Sequence, residues 1–370
     1  MESLFSPYKL GHITLKNKVV MAPMGRSRGK HGSWTPERDT CDYFAQRAGA
    51  GLLITGSLSI SVEARGWGRE MSIYNHEQVY AWRKVTQAVH EQGGVIFAQL
   101  RHIGRATHIS HLEGLLHPVS SVSVQAKNSA SLFVDENGIR SFRPQSEPRA
   151  LKLEEIPRVI NDFVQAAANA IEAGFDGVEI HAANGYLHDQ FINAGLNNRD
   201  DIYGGDSMQN RLRFTLETVD AVAKKIGAER VGVRISPFGR YNDMPSFTDE
   251  GETYIVLAQE LGKKGLAYLH LSDQTTITDD INIPENYTRE LRQAYQGTFI
   301  IAGGFDSSNS QAAINEDITD LVAIGRPFIA NPDLVYRMQN GLPLNTQHPE
   351  TFYTEGEAGY NDYPFWNQGE

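Results

Sequence analysis

Eight short apolar runs recur along the chain, at residues 18–21, 51–55, 95–99, 178–181, 230–235, 268–271, 298–302 and 321–324. Each is too short for a helix and is apolar on both sides, so each reads as a strand buried on both faces. The segments between them predict helices from about 35 to 48, over 76–92, 153–173, 207–226, 250–264 and 285–295, from about 307, and over 332–341. Thr35 is the expected cap of the first helix, with Pro36 at its first position, and Thr248 the expected cap of the fifth, with Asp249 and Glu250 at its positive end. Gly93 and Gly94 stop the second. Strands joined through helices run parallel. Eight such units predict an α/β fold, a single (β/α)8 barrel. A doubly wound open sheet would need fewer strands and a glycine-rich first turn, which Met24, Gly25 and Arg26 do not make.

A barrel of this kind uses about 250 residues, and the chain has 370. The surplus is assigned to a long insertion or capping loop after the third strand, 101–150, and to an aromatic C-terminal arm, 342–370. The insertion mixes Ser, Pro, Asn and Gly and holds a hairpin turn from Asp135 to Gly138. A smaller hairpin, turning at Gly11, precedes the first strand, and residues 1–370 read as one domain.

Composition excludes several functions. The formal net charge of −11 disfavours nucleic acid or an anionic membrane as partner. One cysteine, Cys41, rules out a disulfide framework, a four-cysteine zinc site and a cysteine-ligated iron–sulfur cluster. The start has no signal-like region and no run approaches the roughly 18 apolar residues of a membrane span, so a soluble, cytoplasmic protein is expected. His102, His108 and His111 have no acidic partner at ligand spacing, so no metal site is assigned. Asp200 and Asp201 beside Arg199 read as a salt-bridged turn.

Barrel enzymes place their chemistry at the carboxyl ends of the strands. After the fourth strand come His181, Asn184 and Tyr186: imidazole, carboxamide and phenol in six positions. Any one of them alone would suit a polar capping loop. Gly303 and Gly304 follow the seventh strand, Gly325 and Arg326 the eighth. Glycines let backbone N–H groups approach an anion, and an arginine adds a charged fork, so these two ends favour a phosphate site. Gln99 ends the third strand. Arg234 lies inside the apolar run Val231 to Ile235, where burial demands a polar or anionic partner; an internal ion pair would serve as well as a ligand. Glu179 shares a barrel face with His181 and keeps open a non-flavin isomerase or aldolase.

The segments Val20 to Met24, Ala98 to His102, His181 to Tyr186, Asn198 and Arg199 with Tyr203 to Gly205, Arg234 to Pro237, Gly325 to Pro327, and Gly359 to Pro364 occur in this order. In this combination the chain resembles the old yellow enzyme family of FMN-dependent, NAD(P)H-dependent ene-reductases (NADPH dehydrogenase type). The resemblance implies tightly bound, non-covalent FMN over the barrel mouth. Pro23, Met24 and Gly25 would run beside its ring with Ser57 nearby, Gln99 would bond its pyrimidine edge, and Arg234 would sit by its N1 and C2 carbonyl. Gly303, Gly304, Gly325 and Arg326 would hold the phosphate. NADPH or NADH would reduce the flavin, whose N5 would then pass hydride to the β-carbon of an activated alkene: an unsaturated ketone or aldehyde, a maleimide or a nitroalkene. His181 and Asn184 would bind the carbonyl oxygen and Tyr186 would protonate the α-carbon. Trp67, Arg101 and Tyr353 would shape the substrate pocket. A flavin-binding sensor or store is the alternative, and a monomer or homodimer is expected. The chain departs from the family at Gly25, where Thr or Cys is common and whose loss implies a lower flavin potential, and at Arg101, where bacterial relatives often have Trp.

Overall fold

The computed structural model describes residues 3–135, 137–275, 281 and 283–366. Eight parallel strands close into a barrel: β1 (Val19–Met21), β2 (Leu52–Ile54), β3 (Ile96–Arg101), β4 (Gly177–Ala182), β5 (Val231–Ile235), β6 (Tyr268–Ser272), β7 (Phe299–Ala302) and β8 (Leu321–Ile324). Each pairs with the next, and β8 pairs back onto β1. Every residue in all eight is buried, as runs apolar on both sides require. Helices such as His76–Glu91, Ile156–Glu172 and Met208–Ile226 cover the outside.

Alternation along the strands stacks the interior in layers. Leu10 and Leu15, from the hairpin Tyr8–Leu10 and Ile13–Leu15, cluster with the lowest interior layer, which includes Leu52, Phe97, Tyr268 and Ile300. Gly177 and Gly232 make room there: a Cβ would fall 2.4 Å from the Phe97 ring and 2.3 Å from the Tyr268 ring. The layer above is polar on one side, with Gln99, Glu179, Arg234 and His270 on neighbouring strands, and small on the other, with Ala22, Ala302 and Ala323. The mouth lies above this layer.

Several boundaries differ from expectation. β3 runs on to Arg101, so that residue belongs to the barrel wall and not to the insertion. The first helix starts at Arg38, not after Thr35: the Thr35 hydroxyl pairs with Ser33 and its carbonyl accepts from Lys30, which ties it into a tight loop. Thr248 does not cap the fifth helix. Asp249 stands at that position, and its carboxylate pairs with Arg211 instead of capping. Two short helices were not foreseen, Leu187–Ile192 and Arg326–Ala330; the last expected helix is confined to Leu334–Asn340, closed by Gly341 at φ 63°. Arg199 pairs with Asp201, while Asp200 is exposed.

Between β3 and β4 an antiparallel hairpin, Ala130–Val134 with Arg140–Pro144, stands over the mouth side of the chain, with Asp135 accepting from Asn137 and Ile139 at its turn. The segment after residue 342 is mostly irregular and is fastened by arginines from the N-terminal third. Arg26 donates to the carbonyls of Phe352 and Gly359, Arg28 to those of Thr351, Phe352, Gly356 and Ala358, and Arg47 to that of Tyr360. Tyr43 and Tyr360 stack at 4.1 Å.

Candidate active site

The end of β4 carries His181 and the loop after it Asn184 and Tyr186, and the shape of that loop is fixed by backbone contacts. Asn184 has φ 60°, a left-handed conformation that asparagine tolerates better than most residues. Gly185 follows at φ 72°, and a Cβ there would lie 2.3 Å from the carbonyl oxygen of Tyr241. The Ser236 hydroxyl accepts from the Asn184 amide at 2.8 Å and Asp189 from the Gly185 amide at 2.8 Å. Gln274 donates from Nε2 to Asn184 Oδ1, which leaves Nδ2 as the carboxamide's outward group.

His181 is buried and packs edge-on against the Tyr186 ring at 4.8 Å. Burial, then the positive charges of Arg234 and Arg101, push its pKa well below the ordinary value, so the ring is neutral. Its Nδ1 accepts from the Ala183 amide, which puts the proton on Nε2 and makes that atom a donor.

A cavity of about 400 Å³ opens beside this loop. Met24, Gly25, Ser57, Trp67, Arg101, Asn184, Tyr186 and Tyr353 line it, all singled out in the sequence. Arg26, Arg69, Glu70 and Tyr241 also line it and were not. Only position could have pointed to Arg26, two residues past Met24; for Glu70 no local signal exists. Trp67 stands at the rim between Phe142 of the hairpin and Tyr353, with ring centroids 6.4 and 6.1 Å away.

A second cavity, about 450 Å³, adjoins the first through Met24 and is lined by Pro23, Arg234, Gly303, Gly304, Gly325 and Arg326. Gly304 has φ 65°. Arg234 is 8% exposed, and among the described residues its Nε has no hydrogen-bond partner. An arginine left this way at a cavity wall is a costly arrangement unless a ligand completes it.

Gln99 and His181 line neither cavity. Gln99 sits in the polar layer and donates from Nε2 to Glu179 Oε1 at 2.7 Å, which leaves its Oε1 as an acceptor. Glu179 is fully buried and also bonded to His270 at 2.8 Å. Burial would raise its pKa, but His270, Arg234 and Gln99 together hold it below the ordinary carboxylate value. Glu179 is therefore committed one layer beneath the mouth, which removes the basis for an isomerase or aldolase. The three histidines do not converge: His108 caps the turn at Ser110, His111 packs on Phe133, and His102 lies 3.7 Å from Glu63. Among the described residues no helix is long and apolar enough to cross a membrane.

The two cavities form one trough whose polar groups suit a ligand with an anionic end and a flat, hydrogen-bonding end. The glycine pairs and Arg326 meet the first requirement, and Arg234, with Gln99 buried in the polar layer beneath the mouth, the second. FMN has this form.

Comparison with known proteins agrees. Residues 3–345 match the model of the NADH:flavin oxidoreductase / NADH oxidase family. The chain is 41% identical over 364 residues to 12-oxophytodienoate reductase 2 of Arabidopsis thaliana, covering 98% of this chain and 95% of the relative. Among solved structures, morphinone reductase superposes with TM-score 0.95 at 42% identity, over 99% of this chain and 97% of that one. The old yellow enzyme homologue from Zymomonas mobilis gives 0.92 at 37% identity, over 98% and 99%. The chain belongs to the NADH:flavin oxidoreductase / NADH oxidase family, that of the old yellow enzymes, and is a flavoprotein oxidoreductase built on a (β/α)8 barrel.

Proposed function

We propose that the chain is an NAD(P)H-dependent ene-reductase acting on activated alkenes: unsaturated ketones and aldehydes, maleimides and nitroalkenes. The observation that carries this is that Asn184 and Tyr186 line a cavity adjoining that of Arg234 and the glycine pairs, with neutral His181 packed edge-on behind the Tyr186 ring. FMN, when bound, supplies the redox chemistry, accepting hydride from NADPH or NADH and giving it to the alkene. Gly303, Gly304, Gly325 and Arg326 would hold its phosphate, Pro23, Met24, Gly25 and Ser57 would lie beside its ring, and Gln99 and Arg234 would meet its polar edge.

The chain's own groups do the rest. His181 Nε2 and Asn184 Nδ2 donate to the substrate carbonyl oxygen, where negative charge builds during reduction; donors fixed in advance stabilise that charge without having to reorient. Neutrality of His181 matters, because an imidazole that keeps its proton lowers the charge on oxygen without protonating it. Tyr186 Oη delivers a proton to the α-carbon, whose basicity compensates for a weak phenolic acid. Trp67 and Tyr353 close the rim against water. The names of the relatives, an oxophytodienoate reductase and a morphinone reductase, both denote carbonyl substrates, in keeping with an Asn184 N–H donor at the cavity wall and the His181 donor buried beside Tyr186.

The test is the visible spectrum of the purified protein, followed anaerobically through NADPH and then 2-cyclohexenone. Flavin bands that bleach and then return establish both half-reactions. Bleaching without return makes the enone reading wrong and leaves a flavin store or another acceptor.

A further inference from the structure

Arg101 ends β3 at the wall of the substrate cavity, 3% exposed, with its guanidinium carbon 5.5 Å from the centre of the Tyr186 ring. Its Nη2 donates to Ser59 at 2.9 Å and pairs with Glu70, while its Nε has no partner among the described residues. Among the described residues four charged groups line the cavity, Arg26, Arg69, Arg101 and Glu70. The one carboxylate also accepts from the Gly66 amide and has Arg65 3.7 Å away, although Arg65 pairs closely with Glu113. Arg69 is paired with Glu355. Among the described residues Arg26 donates only to two carbonyls and the Tyr43 hydroxyl, and its charge meets no carboxylate there. The wall is thus positive in sum. A buried cation short of acceptors favours whatever ligand brings an anionic oxygen, and a planar guanidinium suits a carboxylate best.

Resting on the ene-reductase reading, we propose that Arg101 makes this chain select activated alkenes that carry a carboxylate, and that the acid group docks on the unsatisfied edge of the guanidinium. Arg101 is then a specificity determinant beside the proton donor, taking no part in the hydride or proton transfer.

A matched pair tests this: N-ethylmaleimide and maleimidoacetate share the reacting alkene and differ in a carboxylate. The expected kcat/KM favours the acid by about ten- to hundredfold, the worth of one charged hydrogen bond, with the difference in KM. Arg101→Gln abolishes the preference, and Arg101→Gln with Glu70→Gln does the same without leaving Glu70 uncompensated. Calorimetry with the saturated ligands succinimidoacetate and N-ethylsuccinimide gives the same ranking without turnover. Equal use of both maleimides by the wild type overturns the proposal and leaves the ene-reductase reading intact, as does a preference that survives in both variants. Failure to reduce either maleimide counts against the activity, and calorimetry then still decides whether Arg101 prefers the anion.

Discussion

Gln274 holds the carboxamide of Asn184 by its oxygen, donating from Nε2 to Oδ1 at 2.9 Å. Gln274 is itself buried, and its own Oε1 accepts from the Arg240 amide, so its orientation is set from behind. The result is that Asn184 can present only an N–H to the cavity. Replacing Gln274 by Leu frees the carboxamide to turn. The alkene half-reaction should lose about tenfold in kcat/KM, the worth of one hydrogen bond, measured by stopped-flow reoxidation with 2-cyclohexenone.

Tyr186→Phe keeps the ring against His181 and removes the proton. Reoxidation by alkene should slow by about a hundredfold or more, while bleaching by NADPH, which needs no proton from this residue, should stay at the wild-type rate. Equal slowing of both halves would remove Tyr186 from the role of acid.

At Gly25 an added Cβ would have nothing within 4 Å among the described residues, so the position has room for the first atom of a side chain. Gly25→Thr adds a hydroxyl donor beside the flavin ring and should raise the flavin midpoint potential, with faster reduction by nicotinamide and slower transfer to enone. A dye-coupled reductive titration reads the potential; no change would show that the glycine does not tune it.

Asp189 lies beneath the same loop, bonded to the Gly185 amide and the Tyr254 hydroxyl. Burial raises its pKa to about 6 from 3.8, outweighing the donors Tyr254, Gly185 and Ser236. The folded state thus holds this proton more tightly than the unfolded chain. Its stabilising effect is complete below 3.8 and is lost as pH rises through about 6, a change of roughly 3 kcal/mol. Asp189→Asn can still accept from Gly185 and donate to Tyr254, and carries no charge. Its melting temperature relative to wild type should climb between pH 4.5 and 7 and then level off.

The barrel was legible because a strand buried on both faces writes itself as a continuous apolar run, and β1 to β8 follow those runs to within two residues. His181, Asn184 and Tyr186 were legible because chemistry and position coincide at one strand end. What escaped has a physical reason. Arg26, Arg28 and Arg47 bind main-chain carbonyls of the arm, and a carbonyl is the same at every residue, so no side-chain pattern announces the contact. Arg101 and Glu70 pair across 31 positions on separate elements. Thr35 and Thr248 met every local rule for a cap, but the Thr35 hydroxyl is held by Ser33 within a tight loop and Asp249 takes the cap position after Thr248. Leu187–Ile192 is too short to show a helical period.

The arm contacts of Arg26 span more than 300 positions, to Phe352 and Gly359. A nascent chain folds from its N-terminus as it emerges, yet the loop that begins the mouth lacks its partners in the arm until residues 351–360 have left the ribosome. The barrel staves can therefore assemble during synthesis while the vessel stays without part of its rim. Flavin capture becomes a late event, and a chain cut before residue 351 would keep its architecture and lose its purpose.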